Sequence, residues 1–284
     1  MLITGATGML GTALTGLCGR LGIECHPYAE ADLDITDAGA VSAAARLFAA
    51  RGGRLIVNAA AYTDVEGAED DEGRAFAVND RGAGNVAEAA ARCALGLVHV
   101  STDFVFDGTK EGPYTEEDEP HPLNAYGRSK LAGERSVLEA HPAALLVRTA
   151  WVFGPGGNNF PKKILELARP RDELRVVADE IGSPTFTLDL APGILDLHGR
   201  GASGVFHLTG SGSASRYEMA EEIIRTAGLS TRLVPVSSKT FPTKAQRPLN
   251  SVLSTDKARG LGVHMPPWRD SLRAYVQHYL HEAE

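Results

Sequence analysis

Gly5-Ala6-Thr7-Gly8-Met9-Leu10-Gly11 joins the apolar triplet Leu2-Ile3-Thr4 to a run with helical spacing, residues 8–21. Glycines at such a strand-to-helix turn let backbone amides approach a phosphate, and the helix N-terminus adds partial positive charge. The spacing is G-x-x-G-x-x-G, not the general G-x-G-x-x-G dinucleotide fingerprint. Its position between a strand and a helix, at the start of the fold, points to a bound dinucleotide rather than a structural turn. Gly5, Gly8, Met9, Leu10 and Gly11 are the expected pyrophosphate-side residues.

Outward from that turn, short apolar runs alternate with Ala-rich helical stretches. Strands are expected at residues 2–4, 23–28, 55–58, 97–101 and 145–149. Helices are expected at 8–21, 38–51, 72–93 and 124–140. Thr36 or Asp37 is placed to cap the helix 38–51, and Gly52 to stop it. Short, wholly apolar strands separated by helices signal a parallel sheet covered on both faces, so the fold class is α/β, doubly wound and Rossmann-like. Residues 1–150 read as the dinucleotide-binding domain. Residues 151–284 read mainly as a smaller substrate-binding lobe, with scope for one segment to return to the sheet. In that lobe helices are expected at 159–167, 187–197, 215–227 and 268–281, strands at 174–177 and 204–209, and loop over 229–253.

Composition narrows the function. The 284 residues carry a net charge of −8, which disfavours a nucleic-acid groove as the partner surface. The three cysteines form no C-x-x-C pair, which fits a reducing cytoplasm better than a disulfide framework. No run approaches the ~18 apolar residues of a membrane span. The chain reaches Gly5 too soon for a signal peptide, so a cytoplasmic location is expected. Nine histidines fall into no H-x-x-x-H or H-E-x-x-H grouping. His99 and His207, inside strands, read as satisfied core residues.

The chemistry is carried by Tyr126-Gly127-Arg128-Ser129-Lys130. Positions four apart share a helix face, so phenol and ammonium can point into one site. A free tyrosine has a pKa near ~10, and lowering it by about three units needs roughly 4 kcal/mol of preference for the phenolate. A nearby ammonium is expected to supply part of this. Tyr126 then gives a proton to a carbonyl oxygen as hydride reaches the carbon. Upstream, Val98-His99-Val100-Ser101-Thr102-Asp103 ends a strand at the carboxyl edge where ligands of open α/β sheets bind, and Thr102 can hydrogen-bond the same oxygen. For the ribose carboxylate after the second strand, Asp32 and Asp34 both qualify, while Asp37 reads as a cap. No Arg follows that strand closely, which favours NADH or dual use.

These residues resemble the extended short-chain dehydrogenases and, within them, the dTDP-4-dehydrorhamnose reductases. The matching stretches are residues 5–11, 32–37, 58–63, 101–108, 122–130, 148–154 and 179–185. The most specific are Asn58-Ala59-Ala60-Ala61-Tyr62-Thr63 and Ser101-Thr102-Asp103-Phe104-Val105-Phe106-Asp107-Gly108. The resemblance implies NADPH- or NADH-dependent reduction of the 4-keto group of dTDP-4-dehydro-L-rhamnose by a monomer or homodimer. It makes Tyr126 the acid, Lys130 the ribose-binding ammonium and Thr102 the third member of the triad. Asp34 and Ile35 fall on the adenine side, and Ala61, Tyr62 and Thr63 line the cofactor. Thr102, Asp103 and Trp151 hold the sugar nucleotide, and an indole plate suits a deoxysugar face. Asn159, Arg247 and Asn250 are polar candidates from the lobe, Arg247 as a bidentate diphosphate partner.

Two departures from the family pattern matter. The first strand is short, so a few residues are expected to be missing ahead of Met1. Ala13 stands where some members carry a glutamate for magnesium-linked dimerisation, so no metal is expected. A 4,6-dehydratase is disfavoured because Phe104, not Glu, follows Asp103, and an epimerase by the Asn58–Thr63 hexapeptide. Reduction of another dTDP-4-keto-6-deoxyhexose stays open. So does a non-catalytic dinucleotide-binding subunit, similar to the regulatory subunit of methionine adenosyltransferase.

Overall fold

Side chains of a strand alternate between its two faces, and here both faces are apolar. Residues 1–282 are described by the computed structural model. Strands β1 (Leu2–Thr4), β2 (His26–Tyr28), β3 (Leu55–Asn58), β4 (Gly96–Thr102) and β5 (Leu145–Thr149) form one parallel sheet with a late strand, Gly204–His207. From that late strand the order runs through β5, β4, β3 and β1 to β2. Ile3, Val57, Val98 and Leu145 stand in register and bury one face against helix α1 (Met9–Leu21) and the helix Thr187–Gly199. Leu2, Ile56 and Leu97, one residue out of step, bury the other face against helix α2 (Ala38–Ala50), the helix Ala83–Arg92 and Val137 of the helix Ala125–Ala140. This is the doubly wound α/β arrangement. The chain leaves β1 outward to β2 and then crosses to β3 on the other side, which opens a crevice at their carboxyl ends.

A second core lies beyond β5. Phe153, Leu165, Met219, Ile223, Leu272 and Tyr275 bury the helices Phe160–Ala168, Arg216–Ala227 and Trp268–Glu282 against one another. Among the described residues, no helix is long and apolar enough to cross a membrane.

Three local expectations change. The second strand is only His26–Tyr28, because Gly22 ends α1 at φ 66° and the next residues climb back to the sheet. The helix expected over 72–93 breaks into Glu72–Phe76, a π-turn Ala77–Gly82 and Ala83–Arg92. The wider turn delivers the Asn79 side chain to both backbone groups of Tyr62 and to the Ser129 hydroxyl. The expected loop 229–253 contains the strand Arg232–Val236, parallel to Glu173–Val177. That pair is a separate two-stranded sheet, so Pro235 lies at an edge where its missing N–H is tolerated. Asp37, not Thr36, caps α2, accepting from the amides of Gly39 and Ala40.

Candidate active site

The helix Ala125–Ala140 is aimed by its first residues. Asn124 caps it, accepting from the Gly127 amide at 2.8 Å and donating to the Gln246 carbonyl of the lobe at 2.8 Å. A Cβ on Gly127 would fall 2.2 Å from the Phe104 oxygen. Only glycine lets this helix press onto the turn that follows β4. That contact sets Tyr126 and Lys130, one turn apart, beside Thr102 and Asp103 at the end of β4.

All four line one cavity of about 820 Å³ at the sheet's carboxyl edge. The glycine turn forms its opposite wall. Gly5 has φ 68°, and a Cβ there would lie 2.6 Å from the Ala60 nitrogen. A Cβ on Gly11 would lie 2.2 Å from the Gly5 oxygen. Gly8 begins α1, and among the described residues no side chain caps it. A turn kept bare of side chains, at an uncapped helix N-terminus, fits a pyrophosphate. Met9 and Leu10 share this wall, and Ala61, Tyr62 and Thr63 line the crevice after β3.

At the far end, Asp34 and Ile35 reach the cavity and Asp32 does not; Asp32 instead accepts from the Ala29 amide. The Asp34 carboxylate accepts both the amide and the hydroxyl of Thr36, which hold its pKa below the usual value. Arg74 arrives here from a different element, its guanidinium over the Tyr62 ring and 4.0 Å from Glu30, which also lines the cavity after β2. The sequence offered no arginine beside the second strand; the fold supplies one.

The electrostatics of the reacting end differ from the sequence expectation. The Tyr126 phenol shares a hydrogen bond with Thr102 and meets Phe104 edge-on at 5.6 Å. Burial, with Asp103 adding to it, pushes its pKa up to about 12 despite the Thr102 bond. The ring is half-buried and borders the cavity. Lys130 does not pull the phenol down: its ammonium is buried and donates to the Val100 carbonyl at 2.7 Å. Burial brings Lys130 down to about 8, against the attraction of Glu134. Tyr126 therefore holds its proton at neutral pH, the state a proton donor needs.

Asp103 is 2 % exposed. One of its oxygens takes the Thr102 hydroxyl at 3.1 Å, and the other has no partner among the described residues. Burial lifts its pKa to about 6, against hydrogen bonds from Ser251 and Thr102 and the charge of Arg216. Between about pH 4 and pH 6 the folded chain therefore keeps a proton that the unfolded chain has lost, and stability falls as pH rises through that window. Asp103→Asn is expected to gain about 1–3 kcal/mol at pH 7 and nothing near pH 3. Denaturant melts at the two pH values check this; equal gains at both would remove the proposed cause.

The lobe side holds residues the sequence did not flag. Arg216, first in its helix after the cap Ser215, lays its guanidinium 3.4 Å from the centre of the Trp151 ring. Its pKa is lowered to about 10, by burial first and then by Arg247, against Glu180 and Asp103. The S-x-x-E capping box at Ser215 and Glu218 marks the start of a helix, but nothing local says that the start faces a cavity. Trp151 lines the cavity at φ 45°, a left-handed conformation that costs a non-glycine residue energy. One face of the indole is thus already covered by a cation. Arg247 also lines the cavity. It donates to Glu66 at 3.0 Å, and its buried Nε has no partner among the described residues.

Two lobe candidates have their side-chain amides committed within the protein. Asn159 borders the cavity, but it caps Phe160–Ala168 and spends its amide on the Gly154 carbonyl and the Tyr275 hydroxyl. Asn250 donates to the Lys110 and Gly112 carbonyls and is not part of the cavity wall. His207 is satisfied, between the Tyr114 carbonyl and Arg148, and is held down to about 3 by burial. His99 is satisfied only at Nδ1, which accepts from Asn58 at 3.1 Å; its Nε2 has no partner among the described residues. Among those residues, no cluster of His, Cys, Asp and Glu could hold a metal ion.

The same chain is similar to known proteins over its length. A dTDP-4-dehydrorhamnose reductase of Sinorhizobium fredii is 38 % identical, covering 97 % of this chain and 96 % of its own. A dTDP-4-keto-6-deoxy-D-glucose reductase of Streptomyces niveus is 42 % identical over 92 % of this chain and 91 % of its own. The crystal structure of a dTDP-4-dehydrorhamnose reductase from Bacillus anthracis in complex with NADP superposes with a TM-score of 0.93, at 37 % identity over 98 % of both chains. The model of the RmlD substrate binding domain matches residues 1–281, and the chain belongs to that family.

Proposed function

We propose that the chain is an NADPH- or NADH-dependent oxidoreductase that reduces the 4-keto group of dTDP-4-dehydro-L-rhamnose to dTDP-L-rhamnose. The observation that carries this reading is the placement of Tyr126, beside Thr102 and Lys130, in the same cavity as the glycine turn. Residues 1–150 then bind the dinucleotide and residues 151–284 mainly the sugar nucleotide.

The bound dinucleotide supplies a hydride from its nicotinamide. Gly5, Gly8, Met9, Leu10 and Gly11 are assigned to its pyrophosphate, Asp34 and Ile35 to the adenosine end, and Ala61, Tyr62 and Thr63 to the wall between. Arg74, at that adenosine end, suits a 2′-phosphate and favours NADPH. Lys130 holds the nicotinamide ribose hydroxyls. Tyr126 donates its proton to the keto oxygen, and Thr102 hydrogen-bonds the oxygen as charge grows on it. Asp103 offers its unpartnered carboxylate oxygen to a sugar hydroxyl. Arg216 and Arg247 face the diphosphate, and Trp151 backs the sugar through Arg216. Asn159 acts by shaping its helix start rather than by touching the sugar.

The Streptomyces niveus relative favours a second substrate, another dTDP-4-keto-6-deoxyhexose. The enzyme is taken to work in the cytoplasm as a monomer or homodimer. Purified protein should oxidise NADPH only when a dTDP-4-keto sugar is present, fastest with dTDP-4-dehydro-L-rhamnose. Tight NADPH binding with no oxidation against a panel of such sugars would instead mark a non-catalytic dinucleotide-binding subunit.

A further inference from the structure

A buried carboxylate that no step above uses lies one helical turn beyond Lys130. Glu134 is 3 % exposed, and its carboxylate is the centre of a three-residue assembly with Ser101 and Arg148. One oxygen accepts from the Ser101 hydroxyl at 2.6 Å and from Arg148 Nε at 2.9 Å; the other accepts from Arg148 Nη2 at 2.6 Å. Ser101 belongs to β4, between Val100, whose carbonyl takes the Lys130 ammonium, and Thr102, which bonds Tyr126. Arg148 belongs to β5, and its guanidinium also lies over the Phe106 ring and near His207. The pair is fully buried, so its desolvation cost is large, and a carboxylate and an arginine are a poor way to fill a core. Their placement is better explained by what they face.

We propose that Glu134 is a positioning residue for the transfer: one helical turn beyond Lys130 and tied to Ser101 of β4, its buried carboxylate holds the Lys130 side chain as an ammonium at the Val100 carbonyl. This rests on the reductase reading above. His99 of β4 faces the Lys130 ammonium as a neutral ring, held well below its usual pKa by burial and by Lys130 itself. Tyr126 on the same helix keeps its proton. Arg148 binds both oxygens of the Glu134 carboxylate. The attraction of Glu134 is what opposes the desolvation of the lysine. Without that attraction a buried lysine sheds its proton near neutrality. The ribose hydroxyls would then face an amine instead of an ammonium.

The test is Glu134→Gln in the full chain, which keeps the volume and one acceptor oxygen and removes the charge and the second acceptor. Lys130 is titrated by side-chain carbon NMR with lysine labelled, its signal assigned by its loss in Lys130→Arg. The alkaline limb of kcat/KM for NADPH-dependent reduction is measured in parallel. Both midpoints should fall together by about one pH unit, with the rate on the acid plateau kept within a few-fold. An unmoved Lys130 midpoint, or a rate loss equal at every pH, overturns the inference. Should Glu134→Gln fail to fold, the double variant Glu134→Gln/Arg148→Met removes both charges and leaves no uncompensated ion. The Lys130 midpoint should fall there too. A double variant that also fails to fold assigns the pair to structure alone and equally overturns the proposal. If the wild-type chain reduces no keto sugar, the reductase reading fails, while the NMR titration still decides the part played by Glu134.

Discussion

Tyr126→Phe should lower kcat by ~10²–10⁴-fold, the range expected when a general acid is lost, while NADPH affinity changes little. The substitution removes one oxygen. The ring stays against Phe104, and the glycine turn on the opposite wall is untouched. Among the described residues the phenol bonds Thr102, not the cofactor wall. The loss therefore falls on kcat, because the proton is needed only as negative charge develops on the keto oxygen. Pre-steady-state NADPH oxidation and a binding titration separate the two effects. A variant that binds NADPH and turns over at the wild-type rate removes Tyr126 from the chemistry.

Arg216→Met should raise the KM for the sugar nucleotide on the order of 10²-fold. Hydrogen bonds to charged groups contribute about 1.5–3 kcal/mol each, and each 1.4 kcal/mol is tenfold in affinity. The guanidinium stands in the cavity beside Arg247, a like charge that lowers its pKa, so the two cations are held together at a cost that an incoming dianion offsets. Methionine keeps an apolar contact with the Trp151 ring and removes only charge and donors. NADPH affinity should stay as it was, since the glycine turn lies across the cavity. Steady-state kinetics against sugar nucleotide at saturating NADPH check this. An unchanged KM with a lowered NADPH affinity would move Arg216 to the cofactor's side of the site.

The sheet was legible because its signals are local. Leu2-Ile3-Thr4, Leu55-Ile56-Val57-Asn58 and Leu145-Leu146-Val147 are apolar on both faces, which only a covered parallel strand needs. The glycine turn and the Tyr126–Lys130 pair were legible for the same reason, since the spacing of each fixes a geometry within one turn. What was hidden depends on contacts between distant segments. Arg74 and Arg216 are ordinary helix residues in the sequence, and only tertiary packing aims them at the cavity. Asn159 looks like a free polar residue until Gly154 and Tyr275 claim its amide. The strand Arg232–Val236 was masked by Pro235, whose penalty vanishes at an edge. The state of Tyr126 was not legible, because Lys130 is four residues away in sequence, yet its ammonium is turned to the Val100 carbonyl.

The most direct measurement follows the hydride and the proton into the product. Reduction of dTDP-4-dehydro-L-rhamnose by the purified chain, with NADPH deuterated at the transferred position, should place one deuterium at C4 of the sugar. In Tyr126→Phe the same labelled product should form only at the strongly reduced rate. Product without deuterium at C4, or labelled product formed equally fast without the phenol, would contradict a hydride-and-proton transfer run from Tyr126.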